Sequence, residues 1–439
     1  MSPSGRKSRA GSDDLHTLEK HTFRYFWDEA NPDNGLIADN TAAAGVPASI
    51  AGVGLALACY PVGVERSWVT REQGAQRALA TLRFFWTAPQ GPMTDATGRE
   101  GFFYHFLDVA TGRRAWRCEL STVDSAILIA GALTAAAYFD HDTKSESEIR
   151  QLADVLYRRV DWRWAQHGAG TVTHGWTPEK GFLRYRWRGY NEALLLYVLG
   201  LGSPTHPLPA KSYTAWTSTY RWKRIYGYEF LYGGPLFMHQ LSHLWLDFRG
   251  IQDAFMRKKG IDYFENSRRA TYVNREYAIR NPKGFDGYGE YGWGITASNG
   301  PGPATRRVSG KARRFLGYAA RGVPYGPDDG TLAPWAVAAS LPFAPEIVHP
   351  TLRALATRYP ITNEHGLVCS INPTFPPRMK GPRGWISRDH FALDQGPVVL
   401  MIENYRSDLI WRPMRNCGPV VRGLRRAGFS GGWLTGSAE

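Results

Sequence analysis

The sequence predicts an all-α protein, a double helical barrel of the (α/α)6 type with long loops forming a cleft at one mouth. Three observations carry that expectation. Helical patterning recurs over roughly 15–29, 48–61, 70–87, 121–138, 146–160, 190–200, 235–248, 261–279, 332–340, 345–358 and 395–411. These stretches fall into two classes, one apolar on nearly every face and one amphipathic. The connections between them, such as 98–116, 171–189, 282–303 and 363–390, are long and rich in Gly, Pro and aromatic residues.

Taken in order, the chain opens on a polar stretch rich in Ser, Gly, Arg and Asp, residues 1–14, read as a disordered arm. The helix over 70–87 is amphipathic, with Arg, Glu and Gln on its outer side. The segment 121–138 differs: Val123 to Leu133 is apolar almost throughout, and its Ala and Gly residues allow close packing. The next segment, 146–160, is amphipathic again, so the two read as a buried helix followed by an exposed one. Ala193 to Leu199 belongs to the apolar class. An inner ring of buried helices inside an outer amphipathic ring is the arrangement that two such classes require. No short repeat marks a solenoid and no polar linker divides the chain, so a single domain over 15–430, followed by a tail at 431–439, is expected.

Composition narrows the function. The 439 residues carry a formal charge of +14, which would suit a polyanion, but the basic residues are scattered and no run of five or six occurs. Nucleic acid is therefore not an expected partner. Cys59, Cys118, Cys369 and Cys417 lie far apart without a C-x-x-C pair and read as free and buried. No apolar run is long enough to span a membrane, and the start shows no secretion signal. A cytoplasmic protein without a membrane partner is expected, with periplasmic export by another route left open. The unusual feature is an aromatic share of 13%, including 16 Trp and 22 Tyr. Flat, half-polar rings serve either large cores or platforms for sugars and bases.

Carboxylates in apolar surroundings are the residues to weigh, because glycosidic cleavage needs one protonated and one ionised carboxyl group flanking the bond. Asp124 opens the most apolar helix, after Cys118-Glu119-Leu120-Ser121-Thr122-Val123; a plain helix-start carboxylate, favoured by the dipole, is the competing reading. Glu192, in Gly189-Tyr190-Asn191-Glu192-Ala193-Leu194, repeats the arrangement, and desolvation there would raise its pKa as a general acid requires. Asp394 and Glu403 follow in a third apolar segment, where Glu403 also fits a buried hydrogen-bond network. Around these carboxylates lie Trp176, Phe182, Tyr185, Trp187 and Tyr190, and further on Tyr288, Tyr291 and Trp293, with Gly, Arg, Lys and Glu neighbours. That mixture suits sugar stacking, or a loop-packing cluster. His239 and His243 share a helical face, but no Glu follows His239, so the zincin pattern fails; hydroxyl binding, core hydrogen bonding and sugar-isomerase chemistry remain open. No nucleophile elbow, Walker loop or dinucleotide fingerprint is evident.

With these segments in view, the chain resembles the glucoamylase-like (glycoamylase) superfamily, which includes bacterial endo-β-1,2-glucanases and the glycan-processing domain of cyclic β-1,2-glucan synthases. The resemblance rests on Phe23-Arg24-Tyr25-Phe26-Trp27, Ser121 to Ala126, Gly175 to Phe182, Tyr190-Asn191-Glu192-Ala193, Leu201 to Pro207, Asp262 to Ser267, Trp293 to Ser298, Asp329-Gly330-Thr331 and Ile402-Glu403-Asn404-Tyr405, in series across nearly the whole chain. It implies an (α/α)6 toroid, no required metal or cofactor, and carboxylate chemistry on a glucan. Asp124 and Glu192 are the matching acidic positions, and sugar contacts are implied around His206, His239, Asp262, Trp293 and Asp394. The basic stretch Arg184-Tyr185-Arg186-Trp187-Arg188 and the insertion Pro301 to Gly326 depart from the pattern and leave room for another sugar or an anionic glycan. The expected activity is hydrolysis of a bacterial β-glucan or oligosaccharide, β-1,2-linked by the resemblance, with an inverting or retaining outcome. Transglycosylation, action on a different glycan, and non-catalytic carbohydrate binding are the alternatives. Oligomeric state is not legible.

Overall fold

The computed structural model describes residues 4–376 and 384–435. Its helices are α1 (Ser4–Asp28), α2 (Ile50–Glu65), α3 (Arg71–Thr87), α4 (Thr122–Tyr138), α5 (Lys144–Arg159), α6 (Trp162–Gln166), α7 (Leu194–Gly202) and α8 (Lys211–Thr217). They continue with α9 (Ala254–Lys259), α10 (Tyr263–Arg280), α11 (Pro334–Ala338), α12 (Pro345–Arg358), α13 (Ala392–Ser407), α14 (Trp411–Met414) and α15 (Gly418–Arg426). No helix among the described residues is long and apolar enough to cross a membrane. Helix α1 reaches back to Ser4, into the segment expected to be a disordered arm. Residues 436–439 of the expected tail lie outside the described residues.

Contacts divide the chain into two compact units, each assembled from distant segments. One comprises Met1–Tyr25, Trp222–Leu241 and Asn266–Arg406; the other comprises Phe26–Arg221, Ser242–Glu265 and Ser407–Glu439.

In the second unit the two helix classes separate as their sequences require. Helices α2 and α4, buried over nearly their whole lengths, pack on each other through glycine. A Cβ on Gly131 would lie 2.0 Å from the Gly54 carbonyl oxygen, so no side chain fits at the crossing. Amphipathic α3 and α5 pack together and keep their charged faces outward, where Arg83 pairs with Glu148 at 2.6 Å, while Arg71 reaches the buried Glu146 at 2.8 Å. Both begin on hydroxyl caps, Thr70 and Thr143, which satisfy otherwise orphaned amides. Helix α7 is buried throughout and packs on amphipathic α15, where a Cβ on Gly423 would meet the Val198 carbonyl at 1.9 Å.

The long loops are not bare. In this unit they form a five-stranded antiparallel sheet ordered Gly98–Arg99, Phe102–Tyr104, Leu120–Ser121, Gly175–Thr177 and Gly181–Phe182. The sequence pattern, read as almost entirely helical, did not show these short strands.

The segment 235–248, expected as one helix, begins as a 3₁₀ turn, Leu236–His239. Gly233-Gly234-Pro235 precedes it, and the Gln240 side chain, donating to the Ala336 carbonyl (2.7 Å) and Ser340 Oγ (2.8 Å), holds the chain where a continuous helix would turn. A second 3₁₀ turn follows at Leu241–Leu244. The inserted segment 301–326 carries a hairpin, Ala304–Val308 against Lys311–Phe315. It is anchored by a fully buried ion pair, Arg321 Nε to Asp329 Oδ1 at 2.7 Å, with further donation from Arg321 Nη1 to the Ser298 carbonyl at 2.7 Å. All four cysteines are free; Cys59 and Cys369 are buried, while Cys118 and Cys417 are only half-buried.

Candidate active site

Leu120–Ser121 is the central strand of the five-stranded sheet, flanked by Phe103-Tyr104 and Gly175-Trp176. The chain leaves this strand straight into α4. Ser121 is its N-cap: Oγ accepts the Asp124 amide at 3.3 Å and donates to Asp124 Oδ2 at 2.5 Å. Asp124 therefore sits in the first turn, where exposed amides and the helix dipole favour a negative charge. Its Oδ1 takes no hydrogen bond from the described residues, which leaves that oxygen for water or a hydroxyl.

Glu192 precedes α7, which starts four residues later than the patterning suggested, at Leu194, so the carboxylate lies just before the first turn and not in it. The turn is fixed by Ser242, whose Oγ donates to the Glu192 carbonyl and accepts the Leu195 amide, both at 3.2 Å. The residue as a whole is half-buried, but Oε2 is sealed from solvent and has no hydrogen-bond partner among the described residues. Burial, followed by the charge of Asp124, pushes its pKa from 4.5 up to about 7 against the pull of its own backbone amide. Helices α4 and α7 pack together, so two carboxylates distant in sequence act on each other electrostatically.

The sheet adds residues that sequence reasoning missed. His105 follows the strand Phe102–Tyr104, and its Nδ1 lies 2.9 Å from Glu119 Oε1 while Nε2 lies 3.6 Å from Asp124 Oδ2. Burial opposes its charge, yet Asp124, Glu119 and Asp39 together outweigh that and raise its pKa to about 9. Asp39 is raised mainly by burial and further by Asp124, with Asn40 and His105 opposing. The His105 ring lies flat on Phe106, with centroids 4.0 Å apart, and Phe106 in turn meets Trp116 at 5.0 Å. Trp116 is 64% exposed, an open indole face next to the carboxylates' partners. The loop 98–116 was marked as functional by its length and aromatics, but its register against Glu119 and Asp124 required the fold.

The expected aromatic platforms are mostly packed. Trp187 donates its indole N–H to Thr122 Oγ1 at 3.0 Å and is stacked by His174 at 3.8 Å. Trp176 lies under the Arg99 guanidinium at 4.6 Å, and Tyr190 lies nearly parallel to Tyr263. All three are buried, so none of them is an open platform. In the basic stretch 184–188, Arg186 is committed to the Thr171 carbonyl at 3.0 Å, while Arg184, Tyr185 and Arg188 face solvent. His206 is exposed, 3.9 Å from Asp161. Asp262 caps α10, accepting the Glu265 amide at 2.7 Å, which is a structural task.

His239, Trp293, Asp394 and Glu403 belong to the other unit. His239 is buried between the Gly233 carbonyl (3.2 Å) and Asn266 (3.4 Å), and burial lowers its pKa to about 4. Trp293 is fully enclosed with its N–H on Thr351 Oγ1 at 2.9 Å, so it offers no face to a sugar. Asp394 lines a small pocket with Phe237, Ala297, Tyr318 and Trp335, beside the Cys369 thiol. Glu403 is buried on α13. A larger apolar cavity of about 620 Å³ between α1 and α12, lined by Leu15, Leu18, Leu352 and Ala356, contains none of the expected site residues. Among the described residues no group of three or more His, Cys, Asp or Glu side chains is arranged to hold a metal ion.

Comparisons with known proteins agree on one family. The glycoamylase family model, described as "Putative glucoamylase", matches residues 184–418, more than half of the chain. A curated relative, an exo β-1,2-glucooligosaccharide sophorohydrolase (non-reducing end) of Parabacteroides distasonis, is 28% identical over 94% of this chain. The chain spans 57% of that relative's length. Among solved structures, a glucoamylase-like protein of Bacteroides uniformis is 32% identical with a TM-score of 0.84, covering 97% of this chain and 98% of its own. An endo-β-1,2-glucanase from Chitinophaga pinensis, solved with sophorotriose and glucose, is 28% identical with a TM-score of 0.84, covering 96% and 99%.

Proposed function

The chain belongs to the glycoamylase family, and from that premise we propose that it is a glycoside hydrolase acting on a β-1,2-linked glucan, with Glu192 as proton donor and Asp124 as its anionic partner. The observation that carries the reading is the unequal pair. Glu192 has a sealed Oε2 and holds its proton to about pH 7, whereas Asp124 sits at a helix start, takes a hydrogen bond from Ser121 and faces a cationic His105. A carboxyl group that keeps its proton beside an anionic partner is what acid-assisted glycosidic cleavage requires. Glu192 gives its proton to the departing glycosidic oxygen. Asp124 then either takes a proton from the attacking water, inverting the anomeric centre, or attacks that carbon itself, retaining it.

The linkage is supported by the substrates of relatives, a β-1,2-glucooligosaccharide hydrolase and an endo-β-1,2-glucanase that the chain matches over nearly its full length. The exposed Trp116 is the platform best placed to stack a glucosyl ring, since Trp176, Trp187 and Tyr190 are buried. The two helix classes support closure of the helices into an (α/α)6 double barrel forming one domain over 15–430. A cytoplasmic location is proposed, with periplasmic export by another route as the alternative.

A panel of β-1,2-, β-1,3-, β-1,4- and α-1,4-linked gluco-oligosaccharides tests the reading. Cleavage of the β-1,2 series alone is expected, and NMR of the first-formed anomer separates inversion from retention. Cleavage of another linkage with the β-1,2 series untouched would overturn the substrate, and ligand binding without any cleavage would make the protein a carbohydrate-binding module.

A further inference from the structure

Resting on the carboxylate assignment above, we propose that His105 is a positioning residue for the reaction: held by Glu119, its imidazolium faces Asp124 and keeps that carboxylate charged and oriented, so that the proton resides on Glu192. The cluster needs such a device. Asp124 bears on both Glu192 and Asp39, and mutually repelling carboxylates share protons in a way that leaves the acid and base roles undetermined. A cation touching one of them breaks the tie. His105 contacts Asp124, whereas the charged neighbour bearing on Glu192 is Asp124 itself.

The imidazole is held on every side. Its backbone amide donates to the Glu119 carbonyl at 2.9 Å and its carbonyl accepts the Ile50 amide at 3.2 Å. Its ring is clamped on Phe106, and Glu119 takes Nδ1 at 2.9 Å, which aims Nε2 at Asp124. Glu119 is itself kept ionised: burial would raise its pKa, but the bond and charge of His105, with Arg114 behind, lower it. The groups facing the imidazole are thus Glu119, Asp124 and Asp39, all acidic, and the ring retains its proton to about pH 9. Across the interval in which Glu192 titrates, the cation is constant. The alkaline limb of the pH–rate profile then reports loss of the Glu192 proton.

His105→Gln keeps a hydrogen-bond donor and removes the charge. The expected result on β-1,2-gluco-oligosaccharide is kcat reduced on the order of tenfold or more, with KM within about twofold. Glu119→Gln, which frees the ring, should lower kcat in the same direction by less. NMR titration of the His105 ring in the whole chain supplies a readout independent of turnover: its pKa should lie near 9 and fall by about one unit or more in Asp124→Asn. An unchanged kcat in a folded His105→Gln, or a ring pKa at or below 6.5 that ignores Asp124→Asn, would overturn the inference. If that happens while Asp124→Asn and Glu192→Gln are inactive, the carboxylate reading stands and only the role of His105 falls. If both carboxylate variants keep full activity, the site reading itself falls and takes this inference with it.

Discussion

Replacing Glu192 with glutamine separates its catalytic role from its cost to the fold. The side chain keeps its shape and loses its charge, so the buried Oε2 side no longer has to carry an anion. Because the folded pKa of about 7 lies above the ordinary 4.5, the native state binds this proton more tightly than the unfolded chain does. Its stability contribution is therefore greatest below pH 4.5, declines between 4.5 and 7, and is flat above. The difference corresponds to about 3 kcal/mol, at about 1.36 kcal/mol per pKa unit. Glu192→Gln escapes that decline. At about 2.1 cal/mol/K per residue, unfolding entropy converts about 3 kcal/mol into roughly 3–4 °C for a chain of this length melting cooperatively. Thermal melts at pH 4.5 and pH 8.5 should show the variant's Tm relative to wild type rising by about that amount between the two, while its rate on glucan falls by about 10²- to 10⁴-fold. A variant whose relative Tm is the same at both pH values would refute the desolvation argument, whatever its activity.

Two further outcomes follow from the first unit. Arg321→Ala should destabilise by about 3–5 kcal/mol in a denaturant melt, because it strands the buried Asp329 carboxylate; a loss below about 1 kcal/mol would mean that the pair does not anchor the 301–326 segment. Trp293→Ala should cost about 3–5 kcal/mol as a core truncation, whereas a raised KM with unchanged stability would restore the sugar contact that the family resemblance implied.

The parts of this molecule legible in sequence are those governed by local periodicity. The apolar run of α4 and the amphipathic run of α5 read directly as buried and exposed helices, because side-chain burial repeats with the helical turn. Asp124 and Glu192 were visible for the same reason: a carboxylate at the head of an apolar segment is conspicuous. What depended on non-local pairing was hidden. His105 meets Asp124 only because Phe103 pairs with Ser121 and Ile50 holds the His105 carbonyl, neither of which leaves a periodic trace. The aromatic residues mislead for a related reason. Trp187 and Trp293 have polar, glycine-rich neighbours in sequence, yet their indole N–H groups find Thr122 and Thr351 inside the protein, while the exposed ring, Trp116, lay unremarked in a loop. Likewise, 235–248 has helical spacing, but the Gln240 amide closes a 3₁₀ bond to the Phe237 carbonyl while its side chain ties the turn to Ala336 and Ser340.

The most direct test of the central claim is the initial rate of β-1,2-gluco-oligosaccharide hydrolysis by wild type, Asp124→Asn and Glu192→Gln at matched, verified folding. The account predicts measurable cleavage by the wild type and a loss of about 10²-fold or more in each variant. Rates in either variant within a few-fold of wild type would contradict it.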